Sequence, residues 1–211
     1  FLNLIFMYNK NQSKLLSYVR SKVKKLFKDH PVKAHGFDHA VRVSRSAVII
    51  AKAERADIFL SEVAAILHDI GRVPEELPGN TKRHHELSYE MCREWFRGDE
   101  IFNVLSKQEK LAILYALRYH WNVAANKYKI AWILRDADKL DALGSIGLKR
   151  SIDFLGKFED KVVQDLRFKG DIVMNLRSKK AKSIMKNKKL FEPIRRYFHN
   201  VLRKQIEPIE L

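Results

Sequence analysis

The feature that most constrains this chain is the spacing of its apolar residues. They recur with the period of an α-helix through most of the sequence, while the alternation typical of strands is scarce. A clear stripe in the first helical segment is formed by Leu15, Leu16, Val19, Val23 and Leu26. We expect helices over 11–28, 38–56, 61–70, 84–97, 107–120, 129–156 and 157–208. The pattern predicts an all-α protein with one compact multi-helix domain.

The segment 61–70, SEVAAILHDI, carries helix signals at both of its ends. Ser61 can cap a helix N-terminus, and Gly71 belongs to the residue type that commonly follows a helix. The next residues, 71–83, contain two prolines and are expected to form a loop.

Composition excludes several classes of protein. The single cysteine, Cys92, cannot form an internal disulfide or a thiolate zinc site, which favours a reducing, cytoplasmic location. The apolar run within 1–10 is far shorter than the ~20 residues that span a bilayer, and it lacks the features of a signal peptide. We therefore expect this run to dock on the core, and we expect no membrane partner.

The chain carries a formal net charge of +16, from 41 Lys and Arg against 25 Asp and Glu. Such a balance attracts polyanions such as nucleic acid and nucleotides, although a generally Lys-rich composition is the alternative explanation. Basic residues are densest in 177–189, RSKKAKSIMKNKK. This stretch has no aromatic residue on which a base could stack, and it can equally be the solvated face of a helix.

The adjacent pair His68-Asp69 stands at the end of an apolar run, VAAIL, that is expected to be buried. Ionisable side chains in such a place need partners, because desolvation of an unpaired charge costs several kcal/mol or more. A metal ion is one such partner. Imidazole and carboxylate together suit Mn, Fe, Co, Ni or Zn, whereas Mg prefers oxygen ligands and is expected less.

Further imidazoles and carboxylates stand in two other helical segments. His35 and His39 are one helical turn apart in HGFDHAVRV, and RDADKLDALG contains Asp136, Asp138 and Asp141. Asp138 and Asp141 are three residues apart and share a helix face. Asp136 is rotated away from that face, so we expect it to be a cap or a surface charge.

The ordered set H…HD…D, formed by His39, His68-Asp69 and Asp138, resembles the HD superfamily of metal-dependent phosphohydrolases. The strings DHAVRV, AAILHDIGR, HHELS and DADKLDALGSIGLKR are similar to the branch that contains bacterial HD-domain nucleotide pyrophosphatases. The resemblance covers roughly 30–200. It implies that these four residues are the metal ligands.

The resemblance also suggests how the chain is organised. We expect 1–29 to be a helical segment packed on the domain, 30–160 to be the metal-binding HD core, and 161–211 to be basic helices of the same structural unit. The number of subunits is left open.

Two more histidines match positions of the family that bind a second metal in some members, including the HD-GYP phosphodiesterases. His84 precedes Ser88 by four residues in HHELS, and His120 ends ALRYH. The sequence has no GYP motif after them, which disfavours that activity. The resemblance leaves two roles open: binding a second ion, or contacting phosphate and transferring protons together with a catalytic Asp69.

Cations near these motifs are candidates for binding substrate phosphate, with a solvated surface charge as the alternative for each. The candidate substrate-binding residues are Arg42, Arg72, Arg83, His84 and His120. Trp121, next to His120, is the aromatic residue placed where a base could stack, although most aromatic residues are expected in the core.

The resemblance implies a divalent-metal-dependent phosphohydrolase, with one or two transition-metal ions such as manganese. The expected substrate is a nucleotide or another phosphorylated small molecule, first of all a nucleoside or deoxynucleoside triphosphate that loses pyrophosphate. Phosphomonoesterase or phosphodiesterase action on another nucleotide is the alternative among enzymes. A non-catalytic protein that binds nucleic acid or senses a ligand is the alternative outside enzymes.

Overall fold

The computed structural model describes residues 8–155 and 159–206, and its helices confirm the all-α prediction. The first helices are α1 (Lys10–Asp29), α2 (Phe37–Ala53), α3 (Ile58–Leu67), α4 (Arg72–Glu75) and α5 (His84–Gly98). A 3₁₀ helix, Glu100–Val104, precedes α6 (Lys107–Tyr119) and α7 (Lys129–Asp141). The remaining helices are α8 (Gly144–Leu155), α9 (Glu159–Met174), α10 (Lys179–Asn187) and α11 (Glu192–Ile206). The predicted docking of the apolar N-terminal run falls largely on 1–7, outside the described residues.

Helix α3 lies at the centre of the main core, in contact with α1, α2, α6 and α7. Every side chain from Phe59 to Leu67 is buried, and most of them are apolar. The two polar ones have partners, Ser61 with the Asp57 carbonyl and Glu62 with Arg20 and Tyr8. Shortening the fully buried Leu67 to Ala would cost about 2–5 kcal/mol of folding free energy. The buried position of α3 determines where the residues that follow it can point.

Two details around α3 differ from the sequence-based predictions. The helix begins earlier than predicted, because Asp57 is its N-cap and accepts a hydrogen bond from the Leu60 backbone N–H at 2.8 Å. The predicted cap, Ser61, lies inside the helix and donates to the Asp57 carbonyl at 2.6 Å. The expected loop over 71–83 also contains the helical turn α4.

The predicted helix over 129–156 is two helices, α7 and α8. The break falls at Gly144, whose φ of +74° favours glycine, and whose N–H donates to the Leu190 carbonyl at 2.7 Å. A Cβ atom on Gly147 would lie 2.1 Å from the Ala142 carbonyl oxygen, so this close approach also requires glycine. The bend has a direct consequence for the site, because it turns α8 back towards the end of α7.

Asp136 is fully buried, so its expected place on the surface is wrong. Its carboxylate accepts hydrogen bonds from the backbone N–H groups of Arg177 at 3.0 Å and Ser178 at 2.6 Å, just before α10. These bonds offset the desolvation of the carboxylate and tie the basic C-terminal helices to α7. Ser178 is itself the N-cap of α10, so Asp136 binds the backbone just before this helix and does not cap it.

The C-terminal helices add a smaller apolar cluster to the main core. Its buried members are Leu143, Val162 and Ile194, which join α9 and α11 to the residues after α7. Among the residues that the structure describes, no helix combines the length and the apolar character needed to cross a bilayer.

Candidate metal centre

Three helices bring four predicted ligands together at one point. His39 lies in the first turn of α2, His68 and Asp69 follow the last residue of α3, and Asp138 lies on α7. We call these four residues the four-ligand cluster. His39, His68 and Asp69 are buried, whereas the side chain of Asp138 is 35% exposed.

The side-chain atoms of the four-ligand cluster converge closely. The Nε2 atoms of His39 and His68 are 3.2 Å apart. The Asp69 Oδ2 atom lies 3.4 Å from the first and 3.5 Å from the second of these nitrogens. The Asp138 Oδ1 atom lies 3.3 Å and 3.8 Å from them. His39, His68 and Asp69 alone already form a group that could hold a metal ion.

The other ring nitrogen of each cluster histidine is occupied by an acceptor. Nδ1 of His39 lies 2.7 Å from Asp141 Oδ2, and Nδ1 of His68 lies 2.8 Å from the Ala65 carbonyl. Each Nδ1–H donates to that acceptor, which leaves the two Nε2 lone pairs facing each other beside two carboxylates. An acceptor on the outer nitrogen is the usual arrangement for metal-binding imidazoles.

This set of atoms is unfavourable without a cation. Two lone pairs and two carboxylates in a buried space repel one another unless a positive charge lies between them. Burial favours neutral His39, yet its hydrogen bonds with Asp138, Asp141 and Asp69 outweigh burial and raise the pKa of His39 to about 10. Burial likewise raises the pKa of Asp138, but the hydrogen bond with His39 prevails and holds this pKa well below its usual range. A proton thus stands in for the cation, and the two-nitrogen, two-oxygen set fits a divalent transition metal.

Asp141 is held in place by two arginines as well as by His39. Arg42 donates from Nε to Asp141 Oδ1 at 2.6 Å and from a terminal nitrogen to Oδ2 at 3.0 Å. Arg150 donates to Oδ2 at 2.6 Å although it is nine residues further along the chain. A straight helix would separate these two residues by about 13 Å, so the bend before α8 makes this contact. Sequence reasoning missed Arg150, because only the bend brings it to the site.

His84 and His120 lie beside the four-ligand cluster; we call them the outer histidine pair. Their ring centroids are 5.9 Å apart, and the His120 ring is 5.6 Å from that of His68. His120 donates from Nδ1 to the Leu117 carbonyl at 2.9 Å, and His84 Nε2 lies 3.6 Å from Asp69 Oδ1. Burial lowers the pKa of His120, and it lowers the pKa of His84 to about 4, so both rings are neutral at pH 7.

The predicted phosphate-binding arginines lie in different surroundings. Arg42 is engaged with Asp141, as described above. Arg72 donates to Glu75 at 2.9 Å, and its Nε atom lies 3.6 Å from Asp69 Oδ1. Arg83 is exposed and immediately precedes α5. Their roles in binding substrate stay predictions.

Ser88, in the string HHELS, connects α5 to the turn that carries His68 and Asp69. Its hydroxyl is fully buried, donates to the His68 carbonyl at 2.7 Å and accepts from the Gly71 N–H at 2.9 Å. A Cβ atom on Gly71 would lie 2.1 Å from the His84 carbonyl oxygen. Ser88 and Gly71 thus fix α5 against the turn after α3, and this contact places His84 beside Asp69.

Comparison with known proteins identifies the domain. Residues 36–143, just over half of the chain, match the model of the HD domain. The uncharacterised protein YpgQ of Bacillus subtilis is 27% identical over 127 residues, which are 58% of this chain and 58% of that protein.

Solved structures share the fold over nearly the whole chain. The crystal structure of B. subtilis YpgQ in complex with ADP has a TM-score of 0.69 and 20% identity, covering 95% of this chain and 100% of the other. A predicted HD superfamily hydrolase from an uncultured Thermotogales bacterium has a TM-score of 0.65 and 22% identity, covering 97% and 99%. An HD-superfamily hydrolase from Bacillus thuringiensis has a TM-score of 0.67 and 16% identity, covering 93% and 100%. The match to the HD domain model over just over half of its length shows that the chain belongs to the HD domain family, and the solved structures show that it shares their fold.

Proposed function

We propose that the chain hydrolyses nucleotides, and that its reaction is the release of pyrophosphate from a nucleoside or deoxynucleoside triphosphate. The convergence of two imidazole nitrogens and two carboxylates in the four-ligand cluster carries the hydrolytic part of this proposal. The nucleotide part is supported by the resemblance of the motifs to nucleotide pyrophosphatases and by YpgQ, a relative with the same fold that binds ADP.

The four-ligand cluster would hold a divalent cation through His39, His68, Asp69 and Asp138. Manganese fits this nitrogen–oxygen set, as do Fe, Co, Ni and Zn. When bound, such an ion lowers the pKa of water and neutralises charge on the phosphate. The chain's own residues then have two tasks, to position the attacking water and to move its proton.

Asp69 is suited to position the water because its two oxygens face different neighbours. Oδ2 points to the nitrogens of the four-ligand cluster, whereas Oδ1 faces Arg72 and His84, each 3.6 Å away. A water on the Oδ1 side would be within reach of neutral His84, which can accept its proton. The water oxygen attacks the α-phosphorus, the bond from this phosphorus to the bridging oxygen breaks, and pyrophosphate leaves.

A second candidate reaction is phosphomonoesterase or phosphodiesterase action with two ions. It is favoured by one observation, the 3.6 Å distance between His84 Nε2 and Asp69 Oδ1, which would let these two side chains hold a second cation together. The outer histidine pair would then bind the second ion instead of transferring protons.

The experiment is a hydrolysis screen with metal-stripped protein. Mn, Co, Ni, Mg and Zn are supplied separately with a panel of nucleoside triphosphates, monophosphates and a generic phosphodiester, and pyrophosphate is distinguished from orthophosphate. We expect pyrophosphate from a triphosphate, lost in Asp69→Ala and kept in Asp153→Asn, an exposed carboxylate on α8. Orthophosphate alone would favour the second candidate, and no turnover sensitive to Asp69 would contradict both.

A further inference from the structure

A cleft opens from the four-ligand cluster towards the C-terminal helices. It has a volume of about 450 Å³, within the usual range of small-molecule sites, and lies between the end of α7, α8, α9 and the loop before α2. Asp138 lines this cleft, and so does His35, whose ring lies 5.4 Å from that of His39. A molecule whose phosphate reached the four-ligand cluster could therefore extend into the cleft.

The wall of the cleft formed by α8 and α9 is held together by contacts within the protein. Lys169 is buried and donates to the Gly147 carbonyl at 3.2 Å and to the Ser151 hydroxyl, and it pairs with Asp165 at 3.0 Å. These contacts join α9 to α8 through one fixed ammonium group. On the opposite side of the cleft, in the loop before α2, Ala34 has a φ of +65°, a rare conformation for a residue with a Cβ atom. Both sides of the cleft are thus held in specific conformations.

The chemistry of the cleft changes along its length. Near the cluster it presents the guanidinium of Arg150, whose buried Nε atom has no hydrogen-bond partner among the described residues. Further out it presents Leu155 and Phe168. Phe168 is 63% exposed although it is a large apolar residue on a helix anchored by the adjacent Lys169. An exposed aromatic ring at the outer end of a cleft that is polar near the four-ligand cluster is suited to stack on a planar base.

We propose that this cleft is the nucleoside subsite of the enzyme and that Phe168 stacks on the base of the substrate. The inference deepens the proposed nucleotide hydrolysis and rests on it for the substrate class. Trp121 is the competing aromatic residue, on the other side of the four-ligand cluster. Its ring already lies 5.3 Å from that of His85, and its Nε1 donates to the Arg118 carbonyl. For Phe168, in contrast, no ring contact is found with any residue whose side chain the structure describes.

The test is calorimetric binding of AMP and ribose 5-phosphate, two ligands that differ only in the base, to the manganese-loaded protein. Wild type, Phe168→Ala, Phe168→Trp and Trp121→Ala are compared. We expect wild type to bind AMP more tightly than ribose 5-phosphate, and Phe168→Ala to weaken AMP binding about tenfold while ribose 5-phosphate is unaffected. Phe168→Trp should retain AMP binding, and Trp121→Ala should behave as wild type.

The proposal is overturned if Phe168→Ala binds AMP as wild type does, if it loses both ligands equally, or if Trp121→Ala causes the selective loss. It is also overturned if wild type does not prefer AMP to ribose 5-phosphate. Triphosphate turnover, measured on the same preparations, separates the two claims. The expected binding pattern without turnover would contradict nucleotide hydrolysis and support the subsite, whereas turnover without the pattern would contradict the subsite alone.

Discussion

The four-ligand cluster and the outer histidine pair contain the same kind of side chain in different electrostatic surroundings. In the four-ligand cluster, both imidazoles donate from Nδ1 and direct Nε2 at two carboxylates within 3.8 Å. In the outer pair, His84 Nδ1 is buried without a hydrogen-bond partner among the described residues, and the nearest carboxylate oxygens, from Glu75 and Asp69, are 3.5 Å and 3.6 Å from the ring.

The difference separates binding a cation from exchanging a proton. Several carboxylates around an imidazole favour a positive charge, and they raise the pKa of His39 to about 10. The His84 ring makes no hydrogen bond with a carboxylate, so burial prevails and, together with the nearby Arg72 cation, lowers the pKa of His84 to about 4. Neutral rings that are not saturated by acceptors can take up a proton during a reaction. Asp69 has one oxygen towards each group, so it connects the two functions.

The largest effect is expected for Asp69→Ala, because this residue belongs to both groups. Without its carboxylate the four-ligand cluster loses a ligand and the attacking water loses its acceptor, so we expect both manganese binding and turnover to fall to background. Elemental analysis after desalting and the release of pyrophosphate measure the two losses. A variant that kept its metal and a substantial part of its activity would contradict the claim that Asp69 serves both the four-ligand cluster and the outer histidine pair.

His84→Ala and His120→Ala are expected to separate chemistry from metal binding. Each should lower kcat by roughly 10²–10⁴-fold, the usual contribution of a proton-transferring side chain, while one tightly bound manganese remains. Metal stoichiometry and kcat measured on the same sample check this prediction. If the stoichiometry instead fell from two ions to one, the outer histidine pair would be a metal site. Its assignment as a proton-exchanging pair would then be wrong.

Asp141→Asn tests whether the carboxylate behind His39 matters to the four-ligand cluster. The amide cannot match the charge that holds the His39 ring, so we expect manganese affinity to fall roughly 10–100-fold. Competition with a fluorescent chelator measures the affinity, and Asp153→Asn on α8 is the matched control. Equal affinities in the two variants would reduce Asp141 to a structural partner of Arg42 and Arg150.

The smallest effect on the site is expected for Asp136→Ala, which touches neither group. Two backbone N–H groups, of Arg177 and Ser178, would lose their acceptor. The free energy of unfolding should fall by about 2–6 kcal/mol, less in Asp136→Asn, because each of the two unsatisfied N–H groups costs about 1–3 kcal/mol. Urea unfolding measures the loss, with metal affinity unchanged. A parallel loss of metal affinity would show that α10 supports the four-ligand cluster.

The all-α fold was predictable because helical periodicity is a local property that survives in the sequence. The break between α7 and α8 was not, since Gly144 stands inside a continuing helical pattern and its φ of +74° depends on contact with Leu190, far along the chain. The burial of Asp136 was missed for the same reason. Its partners lie 41 and 42 residues later, and no local pattern connects them.

The candidate metal ligands were found by resemblance, whereas the residues that hold them in place, Asp141 and Arg150, were not. His39, His68, Asp69 and Asp138 stand in recognisable strings, and the structure brings them together. Asp141 was noted only as sharing a face with Asp138, and its role behind His39 depends on the angle between α2 and α7. Arg150 could have been suspected from the glycines of ALGSIG, which allow a bend that returns the chain to the site.

The most direct test of the central claim is a crystal structure of the manganese-loaded protein with anomalous data collected at the manganese edge. We predict a strong anomalous peak between the Nε2 atoms of His39 and His68, within bonding distance of the Asp69 and Asp138 carboxylates. No peak at this position, or a peak only between His84 and His120, would contradict the assignment of the four-ligand cluster as the metal centre.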